Sequence, residues 1–409
     1  MSLQVRVAVN HSQALLRQSD LDSITCAILY AYIKSQTSRA KISPIHIPIA
    51  NIPKADLSLR PELSPVCKAA NIEKEHIMTL DDLPKLSQIE SGLPSESTRW
   101  ILVDHNTLQG QLGRIYSSRV VGVVDHHEDE RKVPTDTGDE PRVIETCGSC
   151  TSLVTEYVKD DWTELSMGAS TSGSTQSQGD GLADDTEVAS LWDAQAAQLA
   201  LASILIDTHN LQDENKTTDQ DRRSVEYLEA KINSCPRTSK NFDRSTYFEQ
   251  IQEAKQSLDA LSVRDVLRKD YKQWNENSMT LGMSSVVKPI EYLEDKAKQE
   301  QHSSSDSTGS LTQIIKDFAH ERSLTIAAVM TTFTSDDGNF RRELMVVYHD
   351  DPGKACVDNF IKQCKEELQL NEVDGGDKHQ VKYQIWQQGK LSASRKQVGP
   401  MLRQAMNSF

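Results

Sequence analysis

The chain has 409 residues and a formal net charge of -15. Its length predicts two domains, and its charge excludes broad sequence-independent nucleic-acid binding, which needs a basic surface to displace counterions. No apolar run approaches the ~20 residues that span a bilayer, and "MSLQVRVAVNHS" lacks the charged start and long apolar core of a secretion signal. A soluble, cytoplasmic protein with no membrane partner is expected. The seven cysteines are scattered, which suits reduced thiols better than a disulfide framework. "CGSC", Cys147 to Cys150, has redox-motif spacing but reads better as a loop entering a helix.

After "SDLDS", the residues Ile24, Ala27, Ile28 and Ala31 recur at helical spacing, and Ser19 or Asp20 is of the type that caps a helix start. Residues 23–35 are therefore expected to be helical. "ISPIHIPI", "RWILVD" and "RVVGVVD" are short runs rich in β-branched residues, separated by segments long enough for helices. Strands buried on both faces of a parallel sheet read this way, so the fold class is α/β. Residues 163–187, "TELSMGASTSGSTQSQGDGLADDTE", have too few apolar groups to offset the entropy of ordering them and read as a flexible insertion. "AAQLALASILIDTHNL" reads as a helix carrying Asp207 near its C-terminal end. Over 209–243 the chain turns polar and charged, as suits an inter-domain linker with some helix. A second α/β pattern follows over 244–409. It holds helical "YFEQIQEAKQSLDALSVRDVLRKDYKQW", strand-like "MTLGMSSVV", "LTIAAVMTTF" and "ELMVVYH", and a polar gap, "QEQHSSSDSTGS". No repeat of fixed period is found.

Three carboxylate-bearing segments share one layout. Asp104 in "WILVDHN" and Asp125 in "VVGVVDHH" each end an apolar strand, and "SDLDS" sits at a turn into a helix. Ligands of open parallel sheets bind in the crevice beyond the carboxyl ends of the strands, so Asp20, Asp22, Asp104, His126 and Asp207 are candidates to converge there. Such a concentration of negative charge calls for proton uptake or a bound cation. Mixed carboxylate and imidazole donors suit Mn²⁺, Mg²⁺ or Co²⁺ better than a thiolate-seeking metal. Two ions ~3.5–4 Å apart can clamp a phosphoryl group and acidify a bound water. Taken singly, an Asp at a strand end is ordinary loop chemistry, and a lone "DLD" is a cap or turn. The combination is more specific than its parts.

"SDLDS", "VDHN", "VVDHH" and "LIDT" resemble, in order, the four motifs of the DHH phosphoesterases, a superfamily of manganese-dependent pyrophosphatases, exopolyphosphatases, prune-type phosphatases and some single-strand nucleases. "SASRKQVGPML", Ser392 to Leu402, resembles the basic signature of the type 2 DHH-associated domain; the "GGH"-like motif of the nuclease branch is not found. The resemblance implies an N-terminal doubly wound parallel-sheet DHH domain, 1–208, and a C-terminal α/β DHH-associated domain, 244–409. "NIPKADLSLRPEL", "GSCTSLV" and "VLRKDYKQW" look more like exopolyphosphatases than compact pyrophosphatases.

Carried over by residue, the resemblance implies that Asp22, Asp104, His126 and Asp207 bind one metal, while Asp20 and a bridging Asp104 bind a second. It further implies that His127 contacts phosphate or helps proton transfer to the leaving group, and that Lys269, Arg395 and Lys396 neutralise substrate phosphates. The implied activity is metal-dependent release of terminal phosphate from inorganic polyphosphate, with Mn²⁺ the first choice of cation and Mg²⁺ or Co²⁺ the next. The alternatives are a prune-like or pyrophosphatase-like hydrolase of short phosphate chains or nucleotides, and a catalytically impaired regulatory homologue. One departure matters: Leu16 stands where pyrophosphatases have a ligating histidine and exopolyphosphatases usually an asparagine. Asn10 or His11 is the nearest side chain able to substitute.

Overall fold

The computed structural model describes residues 5–9, 21–37, 45–85, 88–108, 110–172, 185–303, 309–348, 350–378 and 381–407. They divide into two units, Met1–Ser257 and Leu258–Phe409.

The first unit is built on a five-stranded parallel sheet of β1 (Val5–Val9), β2 (His46–Ile49), β3 (Thr98–Val103), β4 (Val120–Asp125) and β5 (Arg142–Ile144), in the order β2-β1-β3-β4-β5. The chain runs outward from β1 in one direction to β2 and in the other through β3, β4 and β5. The strand order therefore reverses between β1 and β3, the position at which open α/β sheets take their ligands. Helix α1 (Leu21–Gln36) joins β1 to β2, α2 (Leu63–Ala70) and α3 (Ile89–Gly92) lie between β2 and β3, and α4 (Gly110–Tyr116) joins β3 to β4. After β5 come α5 (Cys150–Ser172), α6 (Asp185–Asp207), α7 (Asp219–Ser234), α8 (Pro236–Ser239) and α9 (Arg244–Gln256).

Alternation along β3 explains why the sheet is covered on both sides. Ile101 and Val103, with Val124 of β4, enter one core with α1, α5 and α6, whereas Trp100, Leu102 and Val123 enter another with Leu112 and Tyr116 of α4. Trp100 and Tyr116 stack with ring centroids 4.5 Å apart. The expected parallel α/β sheet is present.

Three stretches differ from the sequence reading. Helix α5 runs to Ser172 and α6 starts at Asp185, so both ends of the expected insertion 163–187 are helical; residues 173–184 lie outside the described residues. The expected linker 209–243 contains α7, whose Val225, Leu228 and Ile232 are buried in the core of α1, α5 and α6. The first unit thus continues beyond residue 208 to Ser257. Three apolar side chains on one face of α7 suffice for this, and the charged opposite face hides them from a composition reading. Third, α6 contains a stretch, Glu187–Asp207, long and apolar enough by length and composition to cross a membrane. Its Ala197, Leu201 and Leu205 are instead buried in the same core.

The second unit holds a mixed sheet of β6 (Tyr271–Glu276), β7 (Met279–Val286), β8 (Ile326–Thr331), β11 (Glu343–Tyr348), β12 (Leu370–Lys378) and β13 (Val381–Gln388), ordered β12-β13-β11-β8-β7-β6, with a small ladder of β9 (Phe333–Thr334) and β10 (Phe340–Arg341). Among the described residues of this unit, only β7 and β8 pair parallel. Helices α10 (Val263–Lys269), α11 (Ile290–Ser303) and α12 (Leu311–Glu321) cover one face, while α13 (Asp351–Leu368) and α14 (Arg395–Met406) cover the other. The run expected to be helical from 247 to 274 is broken: α9 and α10 are separate, and Tyr271 opens β6. Asn277 (φ 45°) and Ser278 (φ 63°) form a tight hairpin turn between β6 and β7, with the positive φ pair that two-residue hairpins require.

Candidate active site

Because β3 and β4 are parallel neighbours, their carboxyl ends emerge together, and the residues that follow them share one edge of the sheet. Asp104 follows β3 in the left-handed region (φ 62°), with its N–H donating to the Val124 carbonyl at 2.9 Å. Asp is one of the few side chains that accepts such a backbone. Its carboxylate accepts from Ser23 Oγ on α1 and faces His126 Nε2 at 3.2 Å. The other nitrogen of that imidazole, Nδ1, donates to the Cys147 carbonyl at 3.0 Å. A carbonyl only accepts, so Nδ1 carries the proton and Nε2 is turned toward the carboxylate.

His127 stands perpendicular to His126, ring centroids 4.5 Å apart. Its Nδ1 bonds Asp125 Oδ1 at 2.8 Å and lies 3.9 Å from Asp104. Asp125 is fully buried and also accepts from Asn106 Nδ2 at 2.5 Å. Asp104, His126 and His127 each offer a ligand atom within 4.8 Å of the others. Burial alone would lower the pKa of His126, but the bond to Asp104, the charges of Asp22 and Asp104, and the Cys147 carbonyl outweigh it and raise it to about 10. His127 is raised chiefly by its bond to Asp125. Burial would raise Asp125, yet the bonds from His127 and Asn106 hold it low.

Asp22 lies in the first turn of α1, buried against the start of α5. Its Oδ1 accepts from Ser149 Oγ (2.7 Å), Thr151 N (2.9 Å) and Thr151 Oγ1 (2.6 Å), and its Oδ2 from Cys150 N (2.7 Å). The carboxylate therefore caps a helix other than its own, where free N–H groups and the helix dipole favour negative charge. Among the described residues Oδ2 has one donor, which leaves a lone pair for a cation.

Asp207 closes α6. One turn earlier, Ser203 Oγ bonds Thr25 (2.8 Å) and Thr151 (2.9 Å). One residue later, the Thr208 methyl stands so close to Gly148 that an added Cβ there would lie 2.8 Å from it. The end of α6 is thus seated against the same loop that holds Asp22. Asp20, like Leu16, Asn10 and His11, lies outside the described residues.

The chemistry of this donor set, carboxylate oxygens and imidazole nitrogen without a thiolate, fits a hard or borderline divalent cation. The thiols of Cys147 and Cys150 are pushed up to about 12 by burial, and both cysteines are buried and unbridged. "CGSC" is a loop entering α5, which starts at Cys150.

In the second unit, the expected phosphate-binding residues lie near one another. Lys269 ends α10, and next to it Asp270 accepts from Arg395 twice, through its carbonyl (2.7 Å) and its carboxylate (2.6 Å). Lys396 follows in the first turn of α14, exposed.

A model of the DHH family N-terminal domain matches residues 16–176, and one of the DHHA2 domain matches 249–405. A Schizosaccharomyces pombe protein named "Putative exopolyphosphatase" is 31% identical over 94% of this chain and 88% of its own. The chain belongs to the DHH phosphoesterase family. "Exopolyphosphatase PRUNE1" of mouse is 25% identical, and that of human 22%, each over 95% of this chain and 74% of the relative. Among solved structures, a Methanococcus jannaschii "putative family II inorganic pyrophosphatase" aligns over 98% of this chain and 100% of its own, at 17% identity and a TM-score of 0.41.

In this DHH phosphoesterase Asp104, His126 and His127 come together after β3 and β4, but the motifs alone do not disclose what holds them. Ser23, Asn106 and Asp125 orient Asp104 and His127, and none was expected as a site residue. Asp125 had a visible signal, the first position of "DHH". Ser23 and Asn106 had none beyond adjacency to "DLD" and "DH".

Proposed function

We propose that this DHH phosphoesterase is a divalent-cation-dependent exopolyphosphatase that removes terminal phosphate from linear inorganic polyphosphate. The observation that carries the reading is the gathering of Asp104, His126 and His127 at the carboxyl edge of a parallel sheet, beside its switch point. The 31% identity to a relative named for that activity supports the substrate class.

The cations would be held by Asp22, Asp104, His126 and Asp207, with Asp20 and Asp104 taking a second. When bound, a divalent cation neutralises phosphate charge and lowers the pKa of a nearby water. The rest of the work falls to side chains of this chain. The carboxylate of Asp125 holds His127 by Nδ1 and leaves Nε2 to meet a phosphate oxygen and give up a proton to the leaving phosphate. Cys147 fixes His126 by Nδ1 so that Nε2 faces inward. Lys269, Arg395 and Lys396 would neutralise the chain of phosphates, Arg395 as a charge held in place by Asp270 and the lysines as mobile point charges. Phosphoryl transfer needs positioning and charge neutralisation more than covalent help, which this set of groups can supply.

The test is phosphate release by purified protein with Mn²⁺, in parallel on long polyphosphate, tripolyphosphate, pyrophosphate and a cyclic nucleotide. Release from long polyphosphate is expected. Release from pyrophosphate alone overturns the polyphosphate reading in favour of a pyrophosphatase-like one, and Mn²⁺ binding without any turnover overturns it in favour of a regulatory homologue.

A further inference from the structure

Asp221, at the start of α7, is fully buried and lies outside the ligand cluster. Its carboxylate is surrounded by six donors. Oδ1 accepts from Ser149 N (3.2 Å), Ser152 Oγ (2.7 Å) and Cys147 Sγ (3.1 Å); Oδ2 accepts from Gly148 N (3.0 Å), Thr218 N (2.7 Å) and Thr218 Oγ1 (2.8 Å). A local helix cap explains the two bonds from Thr218: the one from Thr218 N, together with Asp221 N donating to Thr218 Oγ1, makes a capping box, and the hydroxyl bond accompanies it. It does not explain the other four, which all come from one segment about 70 residues earlier in the chain, Cys147 to Ser152.

That segment serves the site at two points. The Cys147 carbonyl receives the Nδ1 proton of His126, and Ser149, Cys150 and Thr151 donate to Asp22. It has no slack. A Cβ added at Gly148 would stand 2.7 Å from Asp221 Oδ2, 2.8 Å from Thr208 Cγ2 and 2.9 Å from the Lys216 carbonyl.

We propose that Asp221 is a positioning residue of the active site: by anchoring the Cys147–Ser152 segment it sets the orientation of His126 and the seat of Asp22 together. The consequence for cation binding rests on the reading that these two residues are ligands; the anchoring itself does not. Groups that orient metal ligands without touching the ion commonly matter about 10–100-fold in affinity. The carboxylate is required, not just its shape. Each oxygen meets at least one backbone N–H, so an asparagine places its own N–H₂ against a donor whichever way the amide is turned.

The test uses the full chain, wild type, Asp221→Asn and Ser152→Ala, the last removing a single donor. In metal-free protein, amide hydrogen exchange is read at Gly148–Thr151 and, as a control for global opening, at Trp100–Val103 of β3. Mn²⁺ affinity is then measured by calorimetry, and KM for polyphosphate at saturating Mn²⁺. In Asp221→Asn, exchange at 148–151 should accelerate relative to β3, Mn²⁺ affinity should fall about 10–100-fold, and KM should stay within about twofold. Ser152→Ala should move the first two readouts the same way by a few-fold. The proposal is overturned if 148–151 and β3 accelerate equally, or if the segment loosens while Mn²⁺ affinity holds. Should Asp221→Asn fail to fold, an unchanged Ser152→Ala in both readouts overturns it. A wild type that takes up no Mn²⁺ refutes the proposed function, and the exchange data still decide the anchoring.

Discussion

Replacing Asp104 by asparagine separates the two things this residue does. Asparagine keeps the size of the side chain and tolerates the left-handed backbone (φ 62°), so it removes only the negative charge. In metal-free protein the loss falls on the bond to the His126 imidazole at 3.2 Å, between side chains that are 18% and 7% exposed. A hydrogen bond to a charged partner in such surroundings contributes about 1.5–3 kcal/mol. Asp104→Ala removes the same bond, also loses the one from Ser23 that an asparagine oxygen can still accept, and sets a plain Cβ residue at positive φ, which alone costs about 1–2 kcal/mol more. Urea unfolding in chelator should therefore rank wild type above Asp104→Asn above Asp104→Ala by these steps. For the cation the two variants should behave alike. Both lose a proposed shared ligand, so Mn²⁺ affinity by calorimetry should drop by at least about 100-fold, a larger loss than for groups that only orient ligands, and phosphate release should nearly vanish. Asp104→Ala hydrolysing polyphosphate at the wild-type rate would remove Asp104 from the site. Equal stability of the two variants would refute both the backbone cost and the contribution of the Ser23 bond.

His127→Gln removes the side chain that Asp125 orients, and kcat for polyphosphate should fall about 10²–10⁴-fold in steady-state assays, with the fold intact by circular dichroism. Ser278→Gly, at a hairpin position with φ 63°, should stabilise the protein by about 0.5–1 kcal/mol in chemical unfolding, because glycine bears no Cβ penalty there. Burial would raise the pKa of Asp221, but hydrogen bonds led by those from Ser152 and Thr218 hold it below the usual carboxylate range. Its contribution to stability is therefore complete above the unfolded value of about 3.9 and is lost as pH falls through the lower folded value. The unfolding free-energy gap between wild type and Asp221→Asn should narrow on going from about pH 6 to about pH 3; a constant gap would show that the carboxylate is not held low.

What the sequence made legible was the part written in local pattern. Apolar runs ending in Asp104 and Asp125 mark strands buried on both faces, and the helical spacing after "SDLDS" marks α1, observed as Leu21–Gln36. The hidden part depends on contacts between distant segments. Asp221 sits in "TTDQDRRS", where charge suggests solvent, yet three apolar residues on the far side of α7 draw the helix into the core and its first turn with it. Thr218 and Asp221 carry the spacing of a capping box, a signal that predicts a helix start and says nothing about the four donors arriving from Cys147–Ser152. Charge also misled at β6, where a positive-φ turn at Asn277 and Ser278 converts an expected helix into a hairpin.

The proposed function requires that carboxylates and imidazoles from distant segments form one divalent-cation site at the edge of the parallel sheet. Anomalous diffraction from crystals grown with Mn²⁺ tests it directly. Manganese density bonded to Asp104 and His126 is expected, with Asp22 and Asp207 among the ligands. Manganese bound elsewhere, with Asp104 still bonded to His126 as it is in the metal-free chain, would contradict it.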